Sequence, residues 1–352
     1  MRKISKVFAT EYNILFAFLT SFLTTYLAVP KIIFFADKFR LSDTPGERAS
    51  HKRTVPIFGS IAIFSGFLFS LLFWAELDKI QFILVSFVIV FFVGVIDDLL
   101  GLTPYKKLIG QIIAILIVIY LGDIKIDNMH GALGIYDLSD FSATLFTIFV
   151  VVVIINGFNL IDGVDGLAAG LGILSSFCFG VITFYMNHFD IAIISFSLMG
   201  SLLAFLKYNF NPARIFMGDS GSLLVGMILS ILAINSIRHG LVFETFSFPN
   251  KGPLVAIVFL AIPLFDSLRV FLVRIRNGKN PLYPGREHIH HALLDLGIGH
   301  KRTVGLLYLV SFLLIIASYF LLPININTAV AILAFISYLI LLIPFYLLKR
   351  RK

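Results

Sequence analysis

The chain has 352 residues, of which 59% are hydrophobic and 14% are charged, and its mean hydropathy is +0.97. Soluble domains are about 45–50% apolar and about 25% charged, so this composition excludes an ordinary water-soluble protein. The net charge of +8 requires no nucleic-acid partner, because basic residues also orient membrane proteins and bind anionic lipid. We expect one integral membrane domain over residues 1–352, in contact with membrane lipid and without nucleic acid.

Apolar runs recur along the whole chain. A helix that crosses the bilayer core needs about 20 mostly apolar residues, or somewhat fewer where it breaks or re-enters. The pattern predicts an all-α polytopic membrane protein with about eleven transmembrane helices. In chain order the predicted spans are 13–36, 55–75, 80–97, 107–122, 142–158, 166–186, 190–207, 221–238, 251–273, 303–322 and 325–348.

The loops between these spans fall into two alternating sets. Nineteen Lys and Arg residues lie in one set, which includes the C-terminal tail, and seven lie in the other. Loops rich in basic residues stay in the cytoplasm, so the first set is predicted to be cytoplasmic. This orientation places the N-terminus outside and the C-terminus in the cytoplasm.

Four polar clusters fall at span ends on the predicted cytoplasmic side. They are VGVIDDLLGL with Asp97 and Asp98, NGFNLIDGVDGLAAG from Asn156, RIFMGDSGSLLVG with Asp219, and PLYPGREHIHH with Arg286. Charged side chains near membrane depth cost energy and usually mark function. We therefore expect the clusters to converge into one active site at the cytoplasmic face.

The residue types in the first three clusters suit a divalent cation bound to phosphate. Adjacent carboxylates such as Asp97 and Asp98 repel each other unless a cation lies between them, and one of them could abstract a proton. The oxygens of NGFNLIDGVDGLAAG suit a hard cation, and its glycines allow close approach of a nucleotide. Asp219 opens a predicted helix, where phosphate binds and where Asp219 could hold Mg²⁺ against it. A plain helix cap or turn is the alternative for each cluster.

The remaining basic residues allow two interpretations each. Lys107 begins a span and is either an interface anchor or a phosphate-binding ammonium. His288, His290 and His291 suggest zinc at first sight, but HIHH has neither a cysteine partner nor the HExxH pattern. Arg286 can instead bind a pyrophosphate through two parallel hydrogen bonds, with the imidazoles as further donors. The full inventory describes a Mg²⁺–pyrophosphate site for phosphoryl transfer.

In order and spacing, these motifs resemble the polyprenyl-phosphate N-acetylhexosamine-1-phosphate transferases, of the glycosyltransferase family 4 type. The resemblance runs from DKFRLSDTPGERASHKRTVPIFGS to about residue 303, and the arginine before HIHH is similar to the bacterial undecaprenyl-phosphate GlcNAc-1-phosphate branch. It implies a multi-pass enzyme of the bacterial cytoplasmic membrane. It also implies Mg²⁺-dependent transfer of GlcNAc-1-phosphate, or a related HexNAc-1-phosphate, from a UDP-sugar to undecaprenyl phosphate, with Mn²⁺ as a substitute metal. UMP would be released, and the lipid-linked diphosphosugar would begin cell-envelope glycan synthesis.

The resemblance also implies site roles. Asp219 and Asn159 match the Mg²⁺ site, and the catalytic carboxylates are Asp97, Asp98 and Asp162. Asp165 and Phe216 match a uracil pocket. The substrate-binding set is Lys52, Lys107, Asn156, Asp165, Phe216, Arg286, His288, His290 and His291.

Three alternatives remain open on the sequence alone. A phospho-MurNAc-pentapeptide transferase of peptidoglycan synthesis resembles the chain less, because its loop carries consecutive histidines and its first loop reads TPTMGG. An ion-coupled transporter would place its acids near the bilayer midplane and often shows internal repeats, and the chain has no evident repeat. A scaffold for a glycan assembly complex leaves the convergent clusters unexplained. The sequence does not specify an oligomeric state and is compatible with a homodimer.

Overall fold

The computed structural model describes residues 2–39, 42–43, 55–243, 247–278, 285 and 287–351, with side chains from residue 11 onward except at 42–43. The predicted site residues Lys52 and Arg286 lie outside the described residues. The helices are α1 Arg2–Phe39, α2 Gly59–Trp74, α3 Leu77–Leu100, α4 Pro104–Tyr120, α5 Asp140–Ile161, α6 Leu167–Tyr185, α7 Phe189–Asn209, α8 Gly218–His239, α9 Gly252–Phe259, α10 Ala261–Arg276, α11 Ile289–Asp295, α12 His300–Leu321 and α13 Ile326–Arg351. Strands β1 Ser42–Asp43 and β2 Val55–Pro56 pair antiparallel, as do β3 Leu241–Val242 and β4 Ser247–Phe248.

Each predicted span coincides with one helix, except that the span 251–273 is divided between α9 and α10. In the described part of the chain, eight helices are long and apolar enough to cross a membrane, and the bent α9–α10 pair makes a ninth. Helices α2 and α4 have only 16 and 17 residues. The all-α polytopic prediction is confirmed, whereas the number of eleven crossings stays a prediction.

The centre of the bundle is α8, whose apolar length is almost wholly buried. It packs against α3 and α5, and also against α2, α6 and α9. A Cβ added at Gly94 of α3 would lie 2.6 Å from the backbone N of Ser220, and one added at Gly226 of α8 would lie 2.6 Å from Cα of Ile155 in α5. Lipid tails are as apolar as leucine, so close backbone packing of this kind is a main source of helix association in a membrane. The start of α8 is thereby held against α3.

Interhelical hydrogen bonds join α1, α2 and α7. The Ser70 hydroxyl of α2 donates to the carbonyl of Ala17 in α1 at 2.7 Å and lies 2.7 Å from the hydroxyl of Ser197 in α7. The Thr25 hydroxyl donates to the Ala62 carbonyl at 3.1 Å. These small hydroxyl residues stabilise the three-helix packing without leaving a polar atom in lipid.

The predicted span 251–273 breaks at Leu260, where α9 and α10 meet at 71°. Pro263 has no N–H, so it cannot donate to the Phe259 carbonyl four residues earlier. The hydroxyl of Ser175 in α6 donates to that carbonyl instead, at 2.6 Å. A broken helix is tolerated at membrane depth when neighbouring helices satisfy the freed backbone groups, and this contact provides such a replacement.

One end of the bundle gathers the polar clusters. The C-terminal ends of α3 and α5 meet the N-terminal ends of α4 and α8 there, linked through hydrogen bonds to Asp219 and its backbone N–H. At the opposite end, Lys125 is hydrogen-bonded to Asp140, and Arg238 donates to the Asp123 carbonyl at 2.6 Å. The convergence expected for the first three clusters is therefore present in the fold.

Candidate active site

The paired acids Asp97 and Asp98 lie in the last turn of α3. The helix ends at Gly101, whose φ is +64° and whose N–H donates to the Asp97 carbonyl at 2.8 Å. The N–H of Leu102 donates to Asp97 Oδ1 at 2.7 Å. Two negative charges at a helix C-terminus are opposed by the helix dipole, so each needs a positive partner. The two carboxylates have different partners.

Asp98 caps the N-terminus of α8. Its Oδ1 accepts from the backbone N–H of Asp219 at 2.7 Å, and its Oδ2 accepts from the N–H of Ser220 at 3.0 Å and from the Ser220 hydroxyl at 2.5 Å. That hydroxyl also lies 2.6 Å from the hydroxyl of Ser60 in α2. The first N–H groups of a helix lack intrahelical partners and carry partial positive charge. Asp98 therefore fixes α8, and with it the backbone of Asp219, relative to α3.

Asp97 belongs to a chain of charged and amide groups from four helices. Nζ of Lys107 lies 2.5 Å from Asp97 Oδ2 and 2.6 Å from Asp219 Oδ2. The Asn159 amide donates to Asp219 Oδ1 at 2.7 Å and to the hydroxyl of Ser222 at 2.9 Å. The Lys107 ammonium thus lies between two carboxylates that would otherwise repel each other.

Helix α5 carries both predicted asparagines. It continues to Ile161, three residues beyond the predicted end at 158, because Phe158 and Ile161 are buried and keep the helix packed. Asn156 and Asn159, three residues apart, therefore lie on one helix face. The Asn156 amide donates to the side-chain carbonyl of Gln111 in α4 at 3.3 Å.

Asp162 follows the last residue of α5 and faces the acid cluster. Within the described residues its carboxylate has no hydrogen-bond partner, and it stays partly accessible although protein surrounds it closely. Burial raises the pKa of Asp162 well above its usual value, and the charges of Asp219, Asp98 and Asp165 raise this pKa further. Asp162 is therefore a carboxylate whose ionisation is disfavoured without an added cation or donor.

Asp165 and Phe216 hold the segment between α7 and α8. Oδ2 of Asp165 accepts from the Asn211 amide at 2.9 Å and from the Ala213 N–H at 3.0 Å. Phe216 donates its N–H to the Pro56 carbonyl at 2.7 Å and accepts from the Gly59 N–H at 3.0 Å. These contacts tie the residues before Gly218 to α6 on one side and to the start of α2 on the other.

The histidine motif forms the start of α11 and reaches the loop after α5. A Cβ added at Gly163 would lie 2.9 Å from Nε2 of His290, so the imidazole lies directly on this glycine. Burial and the neighbouring His291 lower the pKa of His290 to about 3, so this ring is neutral at physiological pH. His288 Nδ1 lies 2.8 Å from Oδ2 of Asp266 in α10. The fourth cluster therefore contacts the second.

The chain is similar over most of its length to polyprenyl-phosphate sugar-phosphate transferases. Residues 80–237 match the profile of glycosyl transferase family 4. The decaprenyl-phosphate N-acetylglucosaminephosphotransferase of Mycolicibacterium smegmatis is 31% identical, over 83% of this chain and 78% of the relative. The probable undecaprenyl-phosphate N-acetylglucosaminyl 1-phosphate transferase of Bacillus subtilis is 30% identical, over 87% of this chain and 84% of the relative. The undecaprenyl-phosphate alpha-N-acetylglucosaminyl 1-phosphate transferase of Haemophilus influenzae is 33% identical, over 85% of this chain and 83% of the relative. The chain belongs to glycosyl transferase family 4.

Family membership confirms the resemblance inferred from the motifs. The chain is a phosphoglycosyl transferase with several apolar helices long enough to cross a membrane. The acid, asparagine and histidine clusters of this family 4 transferase meet at one end of its helix bundle. They converge although they are separated by up to about two hundred residues of chain.

The family resemblance implies Mg²⁺. The residues present fit a cation site in which the protein supplies some of the ligands and substrate supplies others. Among the described residues, no three His, Cys, Asp or Glu side chains stand close enough to enclose a metal ion. Mg²⁺ is usually held by one or two carboxylates, with substrate phosphates and water filling the other positions. Asp219 supplies a carboxylate, and the side-chain carbonyl of Asn159 has no hydrogen bond within the described residues. These two groups are suitable oxygen donors for such a partial site.

Sequence reasoning missed several residues that shape the site. Asp266 and Arg269 bind the histidine segment, Ser220 holds Asp98, and Gln111 pairs with Asn156. A signal was present for the first two, because an acid and a base three residues apart inside a predicted span are costly unless they are used. Ser220 and Gln111 gave no comparable signal.

Proposed function

We propose that this transferase moves GlcNAc-1-phosphate, or a related HexNAc-1-phosphate, from a UDP-sugar to undecaprenyl phosphate at the cytoplasmic face of a bacterial membrane. UMP is the second product. The observation that carries the proposal is the convergence of Asp97, Lys107, Asn159 and Asp219 from four helices at one end of the bundle. Carboxylate, amide and ammonium groups in contact suit a magnesium-bound pyrophosphate. The names of the similar proteins support the acceptor and the transferred sugar.

The proposed reaction is a direct displacement at phosphorus. An oxygen of the polyprenyl phosphate forms a bond to the β-phosphorus of the UDP-sugar, and the bond from that phosphorus to the UMP oxygen breaks. The attacking phosphate monoester has a second pKa of about 6, so it is largely a dianion at neutral pH and needs little help from a base. The reaction therefore depends on positioning and on neutralising charge.

The residues of the site divide these tasks. Asp98 accepts three hydrogen bonds from the start of α8, so we assign it to positioning Asp219 rather than to proton abstraction. Lys107 already contacts two carboxylates and donates to phosphate oxygens when substrate enters. Mg²⁺, bound through Asp219 and Asn159, would neutralise charge on the pyrophosphate. Asp97 keeps the Lys107 ammonium at the site.

The orientation is part of the proposal. The site end of the bundle carries the loops with more basic residues, which favours the cytoplasm, and the N-terminus would then lie outside and the C-terminus inside. Cysteines introduced near Lys106 and near Lys125 test it in intact cells. The first should react only with membrane-permeant reagents and the second also with impermeant ones, and the reverse pattern contradicts the orientation.

The activity is tested with purified protein, undecaprenyl phosphate, Mg²⁺ and radiolabelled UDP-GlcNAc. We expect labelled lipid and UMP in equal amounts, and loss of both with EDTA. UDP-GalNAc and UDP-MurNAc-pentapeptide are run in parallel to identify the sugar. A preference for UDP-MurNAc-pentapeptide would replace the proposed function with the peptidoglycan alternative, and absence of UMP with every donor would refute both.

A further inference from the structure

Asp266 is a fully buried carboxylate of α10 that lies outside the acid cluster. Its Oδ2 lies 2.8 Å from Nδ1 of His288, and its Oδ1 accepts from the backbone N–H of Ile289 at 3.0 Å. The guanidinium of Arg269, one turn along the same helix, is 3.4 Å from Oδ1. A buried charge of this kind is retained only with partners, and two of the three partners belong to the start of the histidine helix α11.

Arg269 satisfies the charge of Asp266 independently of the histidine. Its guanidinium stacks on the ring of Phe345 in α13 at 3.8 Å from the ring centroid, and it also donates to the Glu287 carbonyl. Arg269 therefore supplies Asp266 with a positive charge that does not come from His288.

The second ring nitrogen of His288 has no partner in the described part of the protein. The ring is 2% exposed, and within the described residues its Nε2 is buried without a hydrogen-bond partner. Because Nδ1 faces Asp266, Nε2 lies on the opposite edge of the ring, away from α10. The ring is parallel to that of His290, with centroids 5.6 Å apart, and His290 lies on Gly163 beside the acid cluster. A buried ring nitrogen without a partner, near the loop that follows α5, indicates a partner from outside the described residues.

A carboxylate on one ring nitrogen determines what the other nitrogen does. Donation from Nδ1–H to Asp266 selects one tautomer and fixes the ring orientation. The carboxylate also stabilises the imidazolium, in which Nε2–H becomes a charged donor. In that form Nε2–H is suited to a negative oxygen such as that of a phosphate, because a charged donor then pairs with a charged acceptor.

We propose that Asp266 is a positioning residue that acts through His288, holding Nε2 toward an anionic oxygen of the sugar-nucleotide diphosphate. The inference rests on the proposed function, because it takes its ligand from the donor assigned there. A competing explanation is that Asp266 only caps α11 through the Ile289 N–H. The two explanations differ in whether the effect of Asp266 passes through the imidazole.

A double-mutant cycle with Asp266→Asn and His288→Gln separates them. Asparagine that keeps its single oxygen for the Ile289 N–H presents its N–H₂ group, a donor, to Nδ1. Carboxylates that orient functional imidazoles are worth roughly 10- to 100-fold in activity, so we expect a loss of this size in kcat/KM for Asp266→Asn. The double variant should be no worse than His288→Gln alone, and Asp266→Glu should restore part of the activity. The proposal would be overturned if the losses of the two single variants multiplied in the double variant. It would also be overturned if Asp266→Asn left the kinetics unchanged.

A spectroscopic readout tests the same point without substrate. In protein labelled with ¹⁵N-histidine, the signals of His288 are identified by their loss in His288→Gln. We expect Nδ1 of His288 to be protonated in the parent protein and this tautomer to be lost in Asp266→Asn. An unprotonated Nδ1 in the parent, or an unchanged spectrum in the variant, would contradict the positioning role. This measurement needs no sugar donor, so it separates failure of this inference from failure of the proposed function.

Discussion

The ammonium of Lys107 lies where a divalent cation could neutralise the same carboxylates. Its Nζ is 2.5 Å from Asp97 Oδ2 and 2.6 Å from Asp219 Oδ2. Mg²⁺ bound at Asp219 as proposed would therefore compete with this ammonium until substrate phosphate drew it away. Lys107→Met keeps most of the length of the side chain and removes the charge. We expect the variant to bind divalent cations more tightly and to turn over substrate more slowly.

The magnitude follows from the two contacts. At an effective dielectric of about 20, a charge pair at the distance of these contacts is worth about 6.5 kcal/mol before desolvation. Most of this attraction is offset by the cost of burying the charges, so a net change of about 1.4 kcal/mol, or tenfold, is expected in metal affinity. In the opposite direction, loss of one charged donor to the reacting phosphate costs about 10²- to 10³-fold in kcat.

The assay is Mn²⁺ binding to substrate-free protein, followed by electron paramagnetic resonance, alongside UMP release at saturating metal. Lys106→Met is the matched control, because Lys106 is exposed and directly precedes Lys107 in the same helix. The control should leave both quantities unchanged. Unchanged or weaker Mn²⁺ binding in Lys107→Met would refute the competition between ammonium and metal.

Three further variants probe separate contacts. Asp98→Asn removes the charged acceptor of three hydrogen bonds at the start of α8, each worth roughly 1.5–3 kcal/mol, so Tm should fall by several degrees, and an unchanged Tm would contradict the capping role. Asp162 has a raised pKa, so stability present below its unfolded pKa of about 3.9 is lost as the pH rises toward the folded pKa. Asp162→Asn should therefore raise Tm at pH 7.5, with the difference vanishing near pH 4; a lower Tm at pH 7.5 would exclude electrostatic strain. Gly163→Ala places a Cβ 2.9 Å from His290 Nε2, so kcat/KM should fall while Tm changes little, and parental kinetics would argue against a role for this contact.

Hydropathy alone predicts most of the fold. The apolar runs locate every helix from α1 to α10 and both C-terminal helices, because membrane helices must be long and continuous. The break at Leu260 was not predicted, since its cause is a local proline together with a hydroxyl from another helix. The extension of α5 to Ile161 was missed for a related reason. Asn156, Gly157 and Asn159 look like a loop in sequence, but buried neighbours and contacts to other helices keep them helical.

The site could be predicted as a set of clusters but not as a set of contacts. Motif order indicated that four clusters converge, and the described parts of all four lie at one end of the bundle. The partner of each side chain depends on helix rotation and on residues far along the chain, such as Asp266, which lies 22 residues from His288. Periodicity carries no information about such pairs. For this reason the structure adds Asp266 and Arg269 to the residues that hold the histidine motif.

The acid pair shows why adjacency in sequence does not mean a shared role. Consecutive residues on an α-helix point about 100° apart, so Asp97 and Asp98 face different neighbours. Asp98 meets the N–H groups of α8, whose partial positive charge offsets the unfavourable position of an acid at the end of α3. Asp97 meets the full charge of Lys107, a side-chain contact that substrate phosphate or a metal ion could replace. The backbone partners make Asp98 a structural link between two helices, whereas in the proposed mechanism the side-chain partner would make Asp97 the acid that responds to substrate.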